Sequence, residues 1–169
     1  MRISSHLAFP FNMTLLIIFT AKYLILLSPI LVLWAFYKAP KEERGKIIIF
    51  AVLTLFLSYV VALIARHFWY DPRPFVIGGF PPLIPHTADN GFPSDHALLA
   101  AALAVVVQYF DKKMAVVLWL VAALIGVARV IAQVHHPIDI LGSFAIALGM
   151  GIAAHAIIGQ LWKSKQISF

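Results

Sequence analysis

The side chains able to do chemistry fall in four short polar clusters of an otherwise apolar chain. The clusters are 66–74 (RHFWYDPRP), 93–96 (PSDH), 128–129 (AR) and 135–139 (HHPID). Together they supply three arginines, two separated histidines and a carboxylate. Guanidinium groups donate paired hydrogen bonds to phosphate oxygens, and imidazole titrates near neutrality. The four clusters therefore predict a phosphate-transfer site.

The first cluster contributes Arg66 and Arg73 as candidate phosphate-binding residues. Arg73 lies between Pro72 and Pro74, so its backbone is held in a turn and its side chain has less freedom to lose on binding. The alternative is that both arginines are interface anchors, whose charged ends reach the lipid headgroups.

The second cluster has the pattern of a helix start, with Ser94 or Asp95 as the N-cap before an apolar run. A helix N-terminus offers free amide donors and the positive end of the helix dipole, so Ser94 and Asp95 are candidate phosphate-binding residues. His96 would lie in the first turn, close to that phosphate. Alternatively, it is a histidine at the water interface.

The last two clusters place Arg129 six residues before His135, and His135 four residues before Asp139. An acid at the start of a long apolar helix is costly unless it is paired. Asp139 could accept from one ring nitrogen of His135 and leave the other as a nucleophile. It could also favour the dipole of a helix that begins at Pro137, and both roles are compatible. His136 could compete with His135 for the catalytic role.

Composition indicates which elements must position these residues. The chain is 62% hydrophobic and 12% charged, with a mean hydropathy of +0.93, which fits a soluble domain poorly. The prediction is one domain over 1–169: an all-α, polytopic transmembrane helix bundle of about five spans. The expected helices are 13–37, 46–66, 95–110, 114–133 and 137–161. A separate N-terminal interfacial helix is possible over Ile3 to Asn12, which leaves open whether the first span starts at 13 or nearer 21.

Basic residues predict the orientation. Eight of them fall in connections on one side of the predicted bundle, and four fall on the other. The eight are Lys38, Lys41, Arg44, Lys46, Lys112, Lys113, Lys163 and Lys165, and the four are Arg2, Arg66, Arg73 and Arg129. The positive-inside bias makes the first side cytoplasmic. In a cell membrane this puts the N-terminus and the site outside and the C-terminus in the cytoplasm, with an uncleaved first helix rather than a signal peptide.

The amino-acid composition also limits which cofactors and partners can be expected. There is no cysteine, which excludes disulfides and cysteine-ligated metal. The histidines and acids match no zinc-binding spacing, so no metal or other cofactor is expected. The net charge is +6, but the basic residues lie mainly beside apolar segments, which argues against binding to nucleic acid. The expected partners are the bilayer and a membrane lipid substrate, with no obligate protein partner. Lys22 is a possible contact for a second phosphate or a plain membrane anchor.

The clusters, in order and spacing, resemble the three-part signature of the type 2 phosphatidic acid phosphatase superfamily. The matching residues are Arg66-x6-Arg73-Pro74, Pro93-Ser94-Asp95-His96 and Ala128-Arg129-x5-His135-x3-Asp139, within the motif region 66–139. The chain departs from the signature at three positions: Arg66 replaces a common lysine, Asp95 a glycine and Ala128 a serine. The stretch from His86 to Ala97 is similar to the bacterial undecaprenyl-diphosphatase branch associated with bacitracin resistance.

The resemblance implies six core helices and metal-independent hydrolysis of a lipid phosphate through a phosphohistidine. His135 would attack phosphorus, Asp139 would orient it, and His96 would protonate the departing oxygen. The branch implies undecaprenyl diphosphate as the substrate, with phosphatidylglycerol phosphate, phosphatidate or the 1-phosphate of lipid A as alternatives. The rival outside this class is a small transporter or a haem-binding bundle.

Overall fold

The structure, a computed structural model, describes residues 9–166, with side chains described up to 161. The all-α expectation is confirmed, since 78% of the residues that the structure describes are helical. Seven α-helices are described: α1 Phe11–Lys22, α2 Leu27–Lys38, α3 Lys41–Phe68, α4 Pro74–Gly78, α5 Asp95–Gln108, α6 Lys112–Ile131 and α7 Pro137–Gln166. A short 3-10 turn, Leu24–Leu26, joins α1 to α2.

The expected single helix over 13–37 is wrong, because the structure divides it. Helix α1 and the segment Leu24–Lys38 are bent by 43° with respect to each other. Pro29 lies in the first turn of α2 and has no amide hydrogen to donate to the turn before it, so the upstream helix cannot continue unchanged. Of the proposed interfacial element, residues before Phe9 lie outside the described residues.

The other four expected helices are confirmed, with ends that differ by up to five residues, but the count of spans differs. Helices α3, α6 and α7 are long and apolar enough to cross a membrane, and α1 with α2 forms a fourth candidate if the bent pair is one span. Helix α5 has only 14 residues. It can be short because other helices cover it, so it need not match the full thickness of the hydrocarbon layer.

Helix α5 is the centre of the bundle and packs against α2, α3, α6 and α7. Its alanines are almost fully buried, among them Ala97, Ala100, Ala101 and Ala104. Such small side chains let neighbouring backbones approach closely, which is how helices associate where lipid supplies no hydrophobic driving force. The site residues at the start of α5 are therefore set on a closely packed element.

The connection between α3 and α5 is ordered around Asn90. Its amide nitrogen donates to the carbonyls of Arg66 and Trp69 at 3.0 and 2.8 Å. Its side-chain oxygen accepts from the amides of Asp71 and Phe92, both at 3.0 Å. This one side chain ties the first polar cluster to Phe92, the residue directly before the second cluster.

Candidate active site

The site forms where α3 and α6 end and where α5 and α7 begin. A turn directly after α6 brings His135 back to Arg129, which lies in the last turn of that helix. Gln133 adopts a left-handed backbone conformation, with φ of 62°, which is uncommon for a residue with a side chain. The chain then reverses, so that the Val134 amide donates to the Arg129 carbonyl at 3.2 Å. The six-residue spacing seen in the sequence is therefore the length of a helix end and its turn.

Two buried arginines converge on His135. The Nη1 of Arg73 lies 3.2 Å from the Nε2 of His135, and the Nη2 of Arg129 lies 3.3 Å from the same atom. Each guanidinium is also held by a backbone carbonyl, Arg73 by that of Val134 at 2.7 Å and Arg129 by that of Ala21 at 3.1 Å. Two positive charges thus surround one imidazole nitrogen, where a phosphoryl group could be held.

The partners of His135 determine its tautomer. Guanidinium groups only donate, so Nε2 must be the nitrogen with the free electron pair. The Nδ1 lies 3.2 Å from Oδ2 of Asp139 and donates its proton to that carboxylate. Burial lowers the pKa of His135 below its ordinary value, and the charges of Arg129 and Arg73 lower it further. The ring is therefore neutral at pH 7, with Nε2 in the form that can attack phosphorus.

The contacts of Asp139 are compatible with both roles that the sequence left open. Its Oδ2 accepts from the amide of His136 at 2.9 Å, in the turn that starts α7, and the same oxygen lies 3.2 Å from Nδ1 of His135. Its side chain is fully buried. Ser143 donates to the Asp139 carbonyl at 2.6 Å and lies 3.0 Å from the carbonyl of Ser94. The start of α7 is thereby tied to the start of α5.

Ser94 and His96 lie at the start of α5, as the sequence predicts. Ser94 occupies the N-cap position, but its buried hydroxyl makes no hydrogen bond to any residue that the structure describes. That hydroxyl and the first amides of α5 could bind a phosphoryl oxygen. His96 is partly buried and lies near enough to Arg129 and His135 for electrostatic interaction.

Arg66, Asp95 and Lys22 lie further out. Arg66 and Asp95 form an ion pair, with Nη2 and Oδ1 2.6 Å apart and the Asp95 side chain 70% exposed. The carboxylate that replaces the glycine of the family signature thus holds Arg66 at the edge of the site. Lys22 is exposed and follows Ala21, the residue whose carbonyl binds Arg129; its Nζ lies 5.1 Å from the centre of the Tyr23 ring.

His136 faces a different partner from His135. Its Nδ1 lies 2.9 Å from Oδ2 of Asp71, a residue of the first cluster. Burial raises the pKa of Asp71, although the hydrogen bond from His136 opposes this. Asp71, His136 and Asp139 each bring one ligand atom within 4.8 Å of the others, so they could hold a metal ion. Asp71 pairs with His136, and Oδ2 of Asp139 contacts His135 and the amide of His136, so these hydrogen bonds can hold the three side chains together without an ion.

Three residues that contact the site arginines, His86, Asp89 and Asn90, were not predicted individually from the sequence, although all three lie in the motif 86–97. Asp89 accepts from the Nε of Arg73 at 2.8 Å, and the Asn90 carbonyl accepts from its Nη2 at 3.2 Å. The Nε2 of His86 lies 3.1 Å from the Nη2 of Arg129. The signal was present as a polar stretch inside the connection between α3 and α5, but nothing in its spacing indicated which arginine each residue would meet.

Ala128 shows why the chain can lack the serine of the family signature. It is 5% exposed and belongs to an apolar cluster with Ile17 and Ala21 of α1 and with Ile84. A methyl group there packs against α1, whose Ala21 carbonyl binds the neighbouring Arg129. The N-terminal helix thus helps to build the site.

Comparison with known proteins gives consistent matches. Residues 47–163 match the family model described as the PAP2 superfamily. The chain is 31% identical over 140 residues to undecaprenyl-diphosphatase BcrC of Bacillus subtilis, covering 80% of this chain and 70% of that protein. It is 32% identical over 154 residues to the putative undecaprenyl-diphosphatase YbjG of Escherichia coli, covering 89% and 75%. Among solved structures, Aquifex aeolicus LpxE superposes with a TM-score of 0.70 at 25% identity, covering 88% of each chain.

Proposed function

We propose that this chain, which belongs to the PAP2 superfamily, hydrolyses undecaprenyl diphosphate to undecaprenyl monophosphate and inorganic phosphate. It is a multi-pass membrane phosphatase, and the names of the two relatives given above support the polyprenyl diphosphate as substrate. The observation that carries the proposed chemistry is the convergence of Arg73 and Arg129 on Nε2 of a His135 whose Nδ1 is held by Asp139.

Transfer takes place in two steps. The Nε2 of His135 attacks the terminal phosphorus, and the bond to the bridging oxygen breaks. His96, which the negative charge of the bound diphosphate keeps protonated, gives its proton to the departing lipid monophosphate. Water then attacks the phosphorus of the phosphohistidine, His96 takes a proton from that water, and inorganic phosphate leaves. Arg73 and Arg129 stabilise the charge on the transferred phosphoryl oxygens in both steps. Asp139 stabilises the imidazole as it gains positive character.

The outer residues bind the rest of the headgroup. Ser94 and the amides at the start of α5, including that of Asp95, would hold one phosphoryl oxygen, and Arg66 would approach from the side where Asp95 holds it. A diphosphate carries one more phosphate than phosphatidate does, and Lys22 is the exposed cation beside the Ala21 contact that can meet it. A Lys22→Met variant should lose activity on the diphosphate selectively.

The site faces the extracytoplasmic side in this proposal, and the C-terminus lies in the cytoplasm. One observation and one general rule support it. The basic connections between α2 and α3 and between α5 and α6 follow the helix ends opposite the site. Positive residues favour the cytoplasmic side of a bilayer. The mechanism is metal-independent, because protein side chains and backbone amides supply the nucleophile and all the charge-stabilising groups.

The test is phosphate release in detergent, with chelator present, from a panel of lipid phosphates. The panel contains undecaprenyl diphosphate, phosphatidylglycerol phosphate, phosphatidate and lipid A. We expect the diphosphate to be preferred, and His135→Ala to lose at least about 1,000-fold in kcat because covalent catalysis is removed. His96→Ala should lose roughly 100-fold or more, as expected for a general acid.

His155→Ala is the matched control, since this histidine packs against the rings of Phe50 and Tyr109, remote from the site. Its activity should equal that of the parent. Full activity in His135→Ala would refute the phosphohistidine, and strict dependence on added divalent metal would refute the metal-free version. Preference for a lipid monophosphate would refute undecaprenyl diphosphate as the substrate but would leave the proposed phosphohistidine mechanism in place.

A further inference from the structure

His86 reaches into the site from the connection between α4 and α5, outside all four polar clusters. Its Nε2 lies 3.1 Å from the Nη2 of Arg129. Its ring stands nearly perpendicular to that of His135, with centroids 6.1 Å apart and an interplanar angle of 82°. Because a guanidinium only donates, the Nε2 of His86 must accept, and the ring proton lies on Nδ1.

The hydrogens of the Arg129 guanidinium are divided among three acceptors. Its Nη1 donates to the carbonyl of Ala21, and its Nη2 lies within reach of both His86 and His135. A phosphoryl group on or near His135 would offer its own oxygen to Nη2 in place of the imidazole nitrogen. Ala21 and His86 would then remain as the two anchors. Two anchors from different elements hold the plane of the guanidinium while the phosphoryl group is transferred.

The surroundings of His86 keep it able to accept. The charged and titratable groups around it are Arg73, Asp89, His96, Arg129 and His135. Burial lowers the pKa of His86, and the two arginines lower it further, while Asp89 and the backbone of Thr87 act in the opposite direction. The imidazole is therefore neutral at pH 7. A protonated ring would turn a donor towards Arg129 and release it.

We infer that His86 is a positioning residue, whose neutral Nε2 aims the guanidinium of Arg129 at the phosphoryl group on His135. This inference rests on the proposed function of the site, and it adds a residue that lies outside the four clusters. Hydrogen-bond donors stabilise developing charge best when they are already in position before the reaction. Removing His86 should therefore lower kcat as well as kcat/KM.

The test is a double-mutant cycle with a rescue variant. We expect His86→Ala to lower kcat roughly tenfold or more, as for one hydrogen bond to a charged group. His86→Gln should regain most of the loss, because its oxygen can accept from Arg129, whereas the shorter His86→Asn should not. In an Arg129→Gln background, His86→Ala should cause no further loss, since it acts through the missing guanidinium. His67→Ala is the control: this exposed histidine, next to Arg66, packs edge-on against the ring of Phe68.

A second readout separates this inference from the proposed function. Orthovanadate should raise the midpoint of thermal unfolding of the parent, and His86→Ala should need about tenfold more vanadate for the same shift. If the parent hydrolyses no lipid on the panel while this vanadate pattern holds, the proposed function fails and the role of His86 stands. Equal losses from His86→Ala in the parent and Arg129→Gln backgrounds would overturn the inference. So would a His86→Gln that behaves like His86→Asn.

Discussion

At the scale of single residues, the site is defined by which atom each side chain leaves free. His135 has donors at one nitrogen and a carboxylate at the other, so one tautomer is selected. His136, its neighbour in sequence, is turned towards Asp71 and meets no arginine among the described contacts. These two adjacent histidines have the same intrinsic chemistry but different environments, because His135 is buried whereas His136 is only partly buried.

Replacing the carboxylate that orients His135 should remove most of the activity. In Asp139→Asn the amide can present its NH2 group to Nδ1, which favours the tautomer with the proton on Nε2 and blocks attack. We expect kcat to fall roughly 100- to 10,000-fold, as seen when an orienting carboxylate is replaced in this way. Kinetics on the preferred lipid substrate would measure it.

Asp111→Asn is the matched control for that change. Asp111 caps α6 at the opposite end of the bundle, where its carboxylate accepts from the amide of Met114 at 3.0 Å. Asparagine is also a good N-cap, so activity should be unchanged. Similar losses in both variants would show that the effect at Asp139 is not specific to His135.

The neutral state of His135 also makes stability depend on pH. The unfolded imidazole titrates near a pKa of about 6.5, whereas burial and then the two arginines lower the pKa in the folded protein. Between these values the unfolded state binds the extra proton, so stability is lost as pH falls below about 6.5. Thermal unfolding in detergent should shift downward between about pH 7.5 and 5.5, and it should shift less in His135→Asn. Equal shifts would contradict the lowered pKa.

At the scale of elements, close helix packing positions the starts of α5 and α7. A side chain on Gly151 of α7 would collide with the Cγ1 of Val105 on α5. These two helices carry Ser94, His96 and Asp139, so a change in their separation would also move the site. Glycine is therefore needed there for space rather than for backbone freedom.

Gly151→Ala should consequently lower stability and activity together. We expect about 1–3 kcal/mol of destabilisation from overpacking, seen as a lower midpoint of thermal unfolding. Gly149→Ala, two residues away on the same helix, is the control, because nothing lies within 4 Å of its added methyl group. It should be neutral or stabilising, since alanine favours a helix more than glycine does. Equal effects of the two substitutions would show that the contact with Val105 does not limit the packing.

At the scale of the whole molecule, the bundle separates its two ends by charge. The end with short basic connections contains Lys112 and Lys113, and the other end carries the site and an exposed aromatic group, Phe68, Trp69 and Tyr70. Aromatic side chains are enriched at membrane interfaces, where one part of the ring is apolar and the other is wet. The site would then lie at the level of the lipid headgroups.

Cysteine labelling can test this orientation directly, because the natural chain has no cysteine. A membrane-impermeant maleimide should label Tyr70→Cys in intact cells, since residue 70 is 66% exposed beside the site. It should label Lys113→Cys only after the membrane is permeabilised. The reverse pattern would place the site in the cytoplasm and refute the positive-inside argument.

The sequence by itself determined the fold class and most helix bounds, because these follow from long apolar runs that a bilayer requires. It also predicted Arg73, Arg129, His135 and Asp139 as candidate site residues, since ionisable residues in such a chain are few and costly. Pro29 indicates the helix break between Tyr23 and Leu26, but the hydropathy of the apolar run 13–37 gives no sign of it.

Only the tertiary structure decided which of these residues meet. The Ala21 carbonyl, His86 and His135 come to Arg129 from three different elements, and their separations of 108, 43 and 6 residues follow no local period. Likewise, Asp95 meets Arg66 rather than a buried partner, and Asp71 selects His136. Hydrogen-bond partners of this kind depend on how helix ends and turns pack in space, and that information is not contained in periodicity or composition.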